Sequence, residues 1–130
     1  MSAMKKGAVL VIEDETSVLA FVRIALERKG YEVVGVPTGA LGLEMLASRD
    51  FAGIISDMRT PGGVNGDDVY YWVTRNRPEL ANRVLFVTGD TVNPQTVRAL
   101  RLTGAPYIEK PFRMGEFLDL VQKVIGTAND

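Results

Sequence analysis

Three acids, Glu13, Asp14 and Glu15, follow directly on the apolar run Ala8 to Ile12. Further along, Asp57 closes "GIISD", Thr88 closes "LFVT" and Lys110 follows "YIE". Each polar group stands at the end of an apolar run. Two carboxylates about 4 Å apart repel by roughly 4 kcal/mol at an effective dielectric of about 20, so gathered acids call for water or a cation. Asp14 and Asp57 carry the oxygens that magnesium prefers, with waters and a backbone carbonyl to fill the remaining positions. With a cation bound, Asp57 can serve as a nucleophile toward phosphorus. Lys110 is a flexible point charge suited to one phosphoryl oxygen, and Thr88 offers a hydroxyl to another. Metal, lysine and hydroxyl together would stabilise charge on a transferred group. The set reads as a phosphoryl-acceptor site.

Composition narrows the chemistry further. The chain has 130 residues, a length that suits one domain, and 46% of them are hydrophobic, enough for a core. It contains no cysteine and no histidine. Disulfides, thiol nucleophiles, Cys/His zinc sites and Ser-His-Asp triads are therefore out. Any metal must be hard and oxygen-bound. A net charge of -1 gives no strong pull toward nucleic acid or an anionic membrane. No apolar run approaches the ~18 residues of a membrane span, and no secretory signal precedes the first one. A cytoplasmic location without membrane insertion is the expectation.

The elements that must position these residues alternate. Short apolar runs at 8–12, 32–36, 52–56, 83–87 and 105–109 read as strands, mostly continuous and so buried on both faces. Between them lie segments of helical period. Val18, Val22, Ala25 and Leu26 share one face of a first helix that Gly30 ends; 40–48 is a weaker second helix containing Gly42. Val69, Trp72 and Val73 mark a third, and Val97 and Leu100 a short fourth. Met114, Phe117, Leu118, Val121, Val124 and Ile125 form the core-facing stripe of a fifth, closed by Gly126. Tyr70 and Tyr71 cannot both face inward. This alternation predicts an α/β fold with a parallel sheet over residues 8–126, with 1–7 and 127–130 as loose termini. In such a sheet, ligands bind beyond the carboxyl ends of the strands.

"VLVIEDE", "SDMRTPG", "FVTGD" and "YIEKPF" resemble the receiver domain of two-component response regulators, four motifs in order, each at the end of an expected strand. "FVTGDTVNP" with "GAPYIEKPF" is similar to the receivers of hybrid sensor histidine kinases. The resemblance implies a single flavodoxin-like (βα)5 domain with a five-stranded parallel sheet of order 2-1-3-4-5 and helices on both faces. It implies that Asp57 takes a phosphoryl group from a partner's phosphohistidine. Asp14 would ligate Mg²⁺ directly, Glu13 directly or through water, and the Arg59 backbone carbonyl would be a further ligand. Lys110 would pair with the phosphoryl group, Thr88 would shift toward it, and Tyr107 would turn inward behind it. That coupling would remodel the surface of the fourth helix, fifth strand and fifth helix, where outputs bind and where two copies could pair. The Lys110–Pro111 bond is expected to be cis. The donor would be a sensor histidine kinase or a histidine phosphotransfer protein. Direct nucleic-acid binding is not expected. Whether the receiver stands alone or belongs to a hybrid kinase is left open.

Two departures from the family pattern stand out. "PGGVNG" (61–66) is one residue longer than usual, and Thr60 replaces a usual methionine, so the loop after Asp57 is expected to be looser or reshaped. Arg59 and Asp90 occupy the variable flanking positions and are expected to modulate the site by pairing across it. Glu15 reads as a helix-start residue without chemistry. An alternative is a receiver-like binding module that is not phosphorylated and signals through protein contacts. An aspartate-nucleophile phosphatase is disfavoured because its second acid, two residues after the nucleophile, is Arg59 here. A nucleotide or flavin binder lacks a glycine-rich loop after the first strand. Beyond phosphoryl uptake and its own reset, no enzyme activity is expected.

Overall fold

Alternation within each strand sends side chains to two opposite cores. A computed structural model of the protein describes residues 7–126. Strands β1 (Ala8–Ile12), β2 (Glu32–Val36), β3 (Gly53–Asp57), β4 (Val84–Thr88) and β5 (Tyr107–Glu109) form one sheet of order β2-β1-β3-β4-β5. All pairs are parallel. Val9, Val11, Ile55, Leu85 and Val87 face one side, where α1 (Thr16–Arg28) and α5 (Met114–Val124) cover them. Leu10, Ile12, Ile54, Val84 and Phe86 face the other, beneath α2 (Gly39–Ser48), α3 (Gly66–Asn76) and α4 (Pro94–Thr103). Covered on both faces, the central strands β1, β3 and β4 are buried throughout, which is why they read as continuous apolar runs. The flavodoxin-like topology expected from the sequence is the one observed.

The helix signals act as expected. Gly30 and Gly126 take positive φ after α1 and α5. The Thr38 hydroxyl caps α2 by accepting from the Leu41 N–H at 3.1 Å. Asn93 caps α4, accepting from Gln95 N–H at 2.8 Å. Phe117, Val121 and Ile125 of the fifth stripe are buried against the sheet. Tyr70 packs toward Phe86 while Tyr71 is exposed. Gly42 is tolerated in α2 because Ile12 fills the space its side chain would need.

Some boundaries differ from the sequence reading. Strands β3 and β4 each end one residue later, at Asp57 and Thr88. Strand β5 is only Tyr107–Glu109, because Pro106 has no N–H to continue the ladder; its carbonyl still accepts from Phe86 N–H at 3.0 Å. Gly7, expected to be loose, is paired: its carbonyl accepts from Glu32 N–H at 3.0 Å. The other terminal residues, 1–6 and 127–130, lie outside the described residues. Among the described residues, no helix is long and apolar enough to cross a membrane.

Candidate functional site

The carboxyl ends of β1, β3 and β5 converge. Glu13 extends β1 by one more pairing, its N–H donating to Val36 O at 2.9 Å, and its carboxylate turns inward, 4% exposed. Asp14 is exposed. Asp57, at the end of β3, is buried. Carboxylate oxygens of Glu13, Asp14 and Asp57 all lie within 4.8 Å of one another. An all-oxygen set of three acids fits a hard divalent cation.

Lys110 counters the charge. Its Nζ lies 3.0 Å from Glu13 Oε1, 2.9 Å from Glu15 Oε1 and 3.0 Å from Asp57 Oδ2. Burial works against the charged lysine, but hydrogen bonds from its ammonium to Glu15, Asp57 and Glu13 outweigh that and raise its pKa above the ordinary lysine range. Glu13 is also shifted up, mainly by burial and further by the nearby Asp57 charge. The Glu15 N–H, donating to Glu13 Oε2 at 3.1 Å, and Lys110 oppose that shift. The Lys110–Pro111 peptide is cis, as expected, and Phe112 packs between Phe21 and Phe117, with ring centroids 5.7 and 5.2 Å apart. On the α1 side of Lys110 the surface opens into a groove of about 480 Å³, whose lining includes Val18, Phe21 and Phe112.

The turn after β3 fixes Asp57. The Arg59 N–H donates to Asp57 Oδ1 at 3.2 Å, so both carboxylate oxygens are engaged. Gly66 N–H donates to Met58 O at 2.9 Å. A Cβ on Gly66 would stand 2.7 Å from the Asp57 carbonyl oxygen and 3.0 Å from Met58 Cα, both backbone atoms that cannot swing away. Gly66→Ala is therefore expected to cost about 1–3 kcal/mol, the usual scale of overpacking, as read by urea unfolding.

The longer loop is closed rather than loose. Gly62 and Gly63 take φ of +90° and +86° and form its tip. The Thr60 hydroxyl donates to Val64 O and accepts from Gly39 N–H at 3.2 Å, and Thr60 N–H donates to Asn65 Oδ1 at 3.3 Å. The residue that departs from the family pattern thus pins the longer loop to the start of α2. Gly39 makes room, since any side chain there would collide with the Val64 carbonyl.

Thr88 is buried at the end of β4, where its hydroxyl accepts from Asp90 N–H at 3.1 Å. Tyr107 is 47% exposed. Arg59 and Asp90 do not pair, contrary to the sequence expectation. Arg59 Nε reaches Thr96 Oγ1 on α4 at 3.4 Å, and Asp90 Oδ1 accepts from the N–H groups of Val92 and Asn93 at 3.2 and 2.9 Å. The short carboxylate of Asp90 satisfies its own loop before it can cross the site. Glu15 also needs correcting. It does precede α1 as a helix-start residue, but it holds Lys110 as well. A third acid beside a lysine with three donors was the available signal.

Comparison with known proteins bears on the family and the fold. A family model described as "Response regulator receiver domain" matches residues 9–122. The transcriptional regulatory protein KdpE of Mycobacterium tuberculosis is 36% identical over 110 residues, covering 85% of this chain and 47% of that protein. The chain spans about half the length of the first curated relatives it matches. Among solved structures, the receiver domain of a sensor histidine kinase from Pseudomonas aeruginosa, described with a magnesium ion in its active-site cleft, superposes with a TM-score of 0.80 at 20% identity, covering 92% of this chain and 98% of that one. A CheY-like receiver domain from Methanospirillum hungatei gives 0.82 at 23% identity, covering 98% of each chain. At those identities the likeness establishes the fold.

Proposed function

Because this chain belongs to the response regulator receiver domain family of two-component signalling, we propose that it is the phosphoacceptor switch of a histidine–aspartate phosphorelay, with Asp57 as the acceptor. The observation that carries this is the contact of Lys110 Nζ with Asp57 Oδ2 at 3.0 Å, beside carboxylates that cluster within 4.8 Å. An Asp57 oxygen forms a bond to phosphorus as the bond from phosphorus to the partner's imidazole nitrogen breaks. Lys110 stays against the transferred group and offsets its charge. Glu13, directly or through water, Asp14, Asp57 and the Arg59 backbone carbonyl would hold Mg²⁺, which would supply further stabilisation of the transferred charge. The Thr88 hydroxyl would exchange its Asp90 partner for the phosphoryl group, and Tyr107 would turn inward behind it. The surface of α4, β5 and α5 then changes, and output passes by contact with a partner or a second copy. The donor is a sensor histidine kinase or histidine phosphotransfer protein, since the chain has no histidine to hold the group itself.

The test is incubation with Mg²⁺ and acetyl phosphate, followed by intact mass measurement. A gain of one phosphate, prevented by prior chelation with EDTA and mapped to the Asp57 peptide after borohydride reduction, is the expected result. No gain with any small donor or phosphorylated partner would leave a binding module that works through contacts alone. Asp14→Ala should abolish Mg²⁺ binding by calorimetry. Because Asp14 is exposed, the same variant should unfold within about 0.5 kcal/mol of the parent protein without metal.

A further inference from the structure

An ammonium has three donors, and Lys110 spends all of them on carboxylates. Two of its partners, Glu13 and Asp57, belong to the acid cluster; the third, Glu15, does not. A divalent cation entering that cluster competes with the lysine for the same two carboxylates. Glu15 sits at the N-cap of α1, and its N–H is tied to Glu13 Oε2 at 3.1 Å. Its side chain is 58% exposed, yet its carboxylate lies 2.9 Å from Nζ. No other carboxylate among the described residues contacts Nζ, and the rest of the groove lining beside it, including Val18, Phe21 and Phe112, carries no charge.

We propose that Glu15 is a positioning residue for Lys110: it holds the ammonium on the α1 side of the cluster and so releases Glu13 and Asp57 to a divalent cation. The proposal rests on the reading that the cluster takes Mg²⁺. Without Glu15, the only carboxylates left in contact with the lysine are the two the metal needs. With it, the lysine stays next to Asp57 while giving up part of its hold on the pair.

The test is a double-mutant cycle read as Mg²⁺ affinity by calorimetry in the parent, Glu15→Gln, Lys110→Met and combined variants. Glu15→Gln should weaken Mg²⁺ about threefold to tenfold in the parent, the scale of coupling between residues in contact. In the Lys110→Met background, the same change should weaken it by less than about twofold, because only a screened surface charge is lost. Equal losses in both backgrounds, or no loss in the parent, would overturn the proposal while leaving the metal reading intact. A parent protein that binds no Mg²⁺ would overturn both. If Lys110→Met does not fold, the Lys110 side chain is followed by ¹³C-lysine NMR at saturating Mg²⁺. Its ε-methylene protons should stay inequivalent in the parent and merge to the signal of a mobile lysine in Glu15→Gln. Identical signals in the two proteins would overturn the proposal.

Discussion

Asp57→Asn protein will take up no phosphate from acetyl phosphate and Mg²⁺ under conditions that load the parent. Replacing a carboxylate oxygen by an amide nitrogen removes the anionic nucleophile, and the remaining carbonyl oxygen attacks phosphorus poorly. The change also takes one of three acids from the cation cluster and one of three partners from Lys110. Removal of an attacking group costs enzymes about a thousandfold or more, so the loss should be complete by mass spectrometry. The variant should remain folded. Asparagine keeps the oxygen that can accept from Arg59 N–H, and the turn is held independently by Gly66 N–H donating to Met58 O. Uptake at an undiminished rate by Asp57→Asn would show that the phosphoryl group goes elsewhere.

The second large effect is on stability. Lys110→Met should destabilise the metal-free protein by roughly 3 kcal/mol at neutral pH, the scale for breaking a buried ion pair from one side. Glu13 would be left buried beside Asp57 without its cation, and methionine cannot donate a hydrogen bond. The pH dependence originates at Glu13. Its folded pKa already lies above the unfolded value of about 4.3, so the folded state binds the proton more tightly and Glu13 penalises folding as pH rises through that range. Lys110 is one of the groups that limit the shift. Without it the shift grows, and the penalty deepens above the folded pKa. The deficit of the variant should therefore be largest at pH 7 to 8 and shrink as pH falls toward about 4. Urea titrations of both proteins across that range would measure it. A deficit independent of pH would mean that lost packing of the lysine stem, not charge, accounts for the effect.

What could be read from the sequence was what depends on period and chain order. Strands buried on both faces leave runs such as "AVLVI", and a parallel sheet sends the ends of those runs to one edge. That is enough to bring Glu13, Asp14, Asp57 and Lys110 together. The contacts of long or adaptable side chains were not readable. Arg59 could reach across to Asp90 or along to Thr96, and only the position of α4 decides between them. Glu15 reads from the sequence as a residue before α1, but its reach to Lys110 depends on where the turn after β5 lies in space. Thr60 replaces a methionine by a hydroxyl, and the gain becomes visible only when Gly39 and Val64 are seen side by side. The start of β5 lies later than the apolar run suggests for a local reason, the missing N–H of Pro106.

That same shortness of β5 has a consequence for how the protein behaves when crowded. As an outer strand of the sheet it offers only Tyr107–Glu109 to another chain, with Pro106 before it and Pro111 soon after. Long flat outer strands invite edge-to-edge pairing and fibre growth, whereas short ones bounded by proline and charge resist it. Two copies meeting at this side would have to join through side chains of the flanking helices rather than by extending one ladder. Such contacts can form and separate with a signal, whereas a shared ladder would be slow to undo.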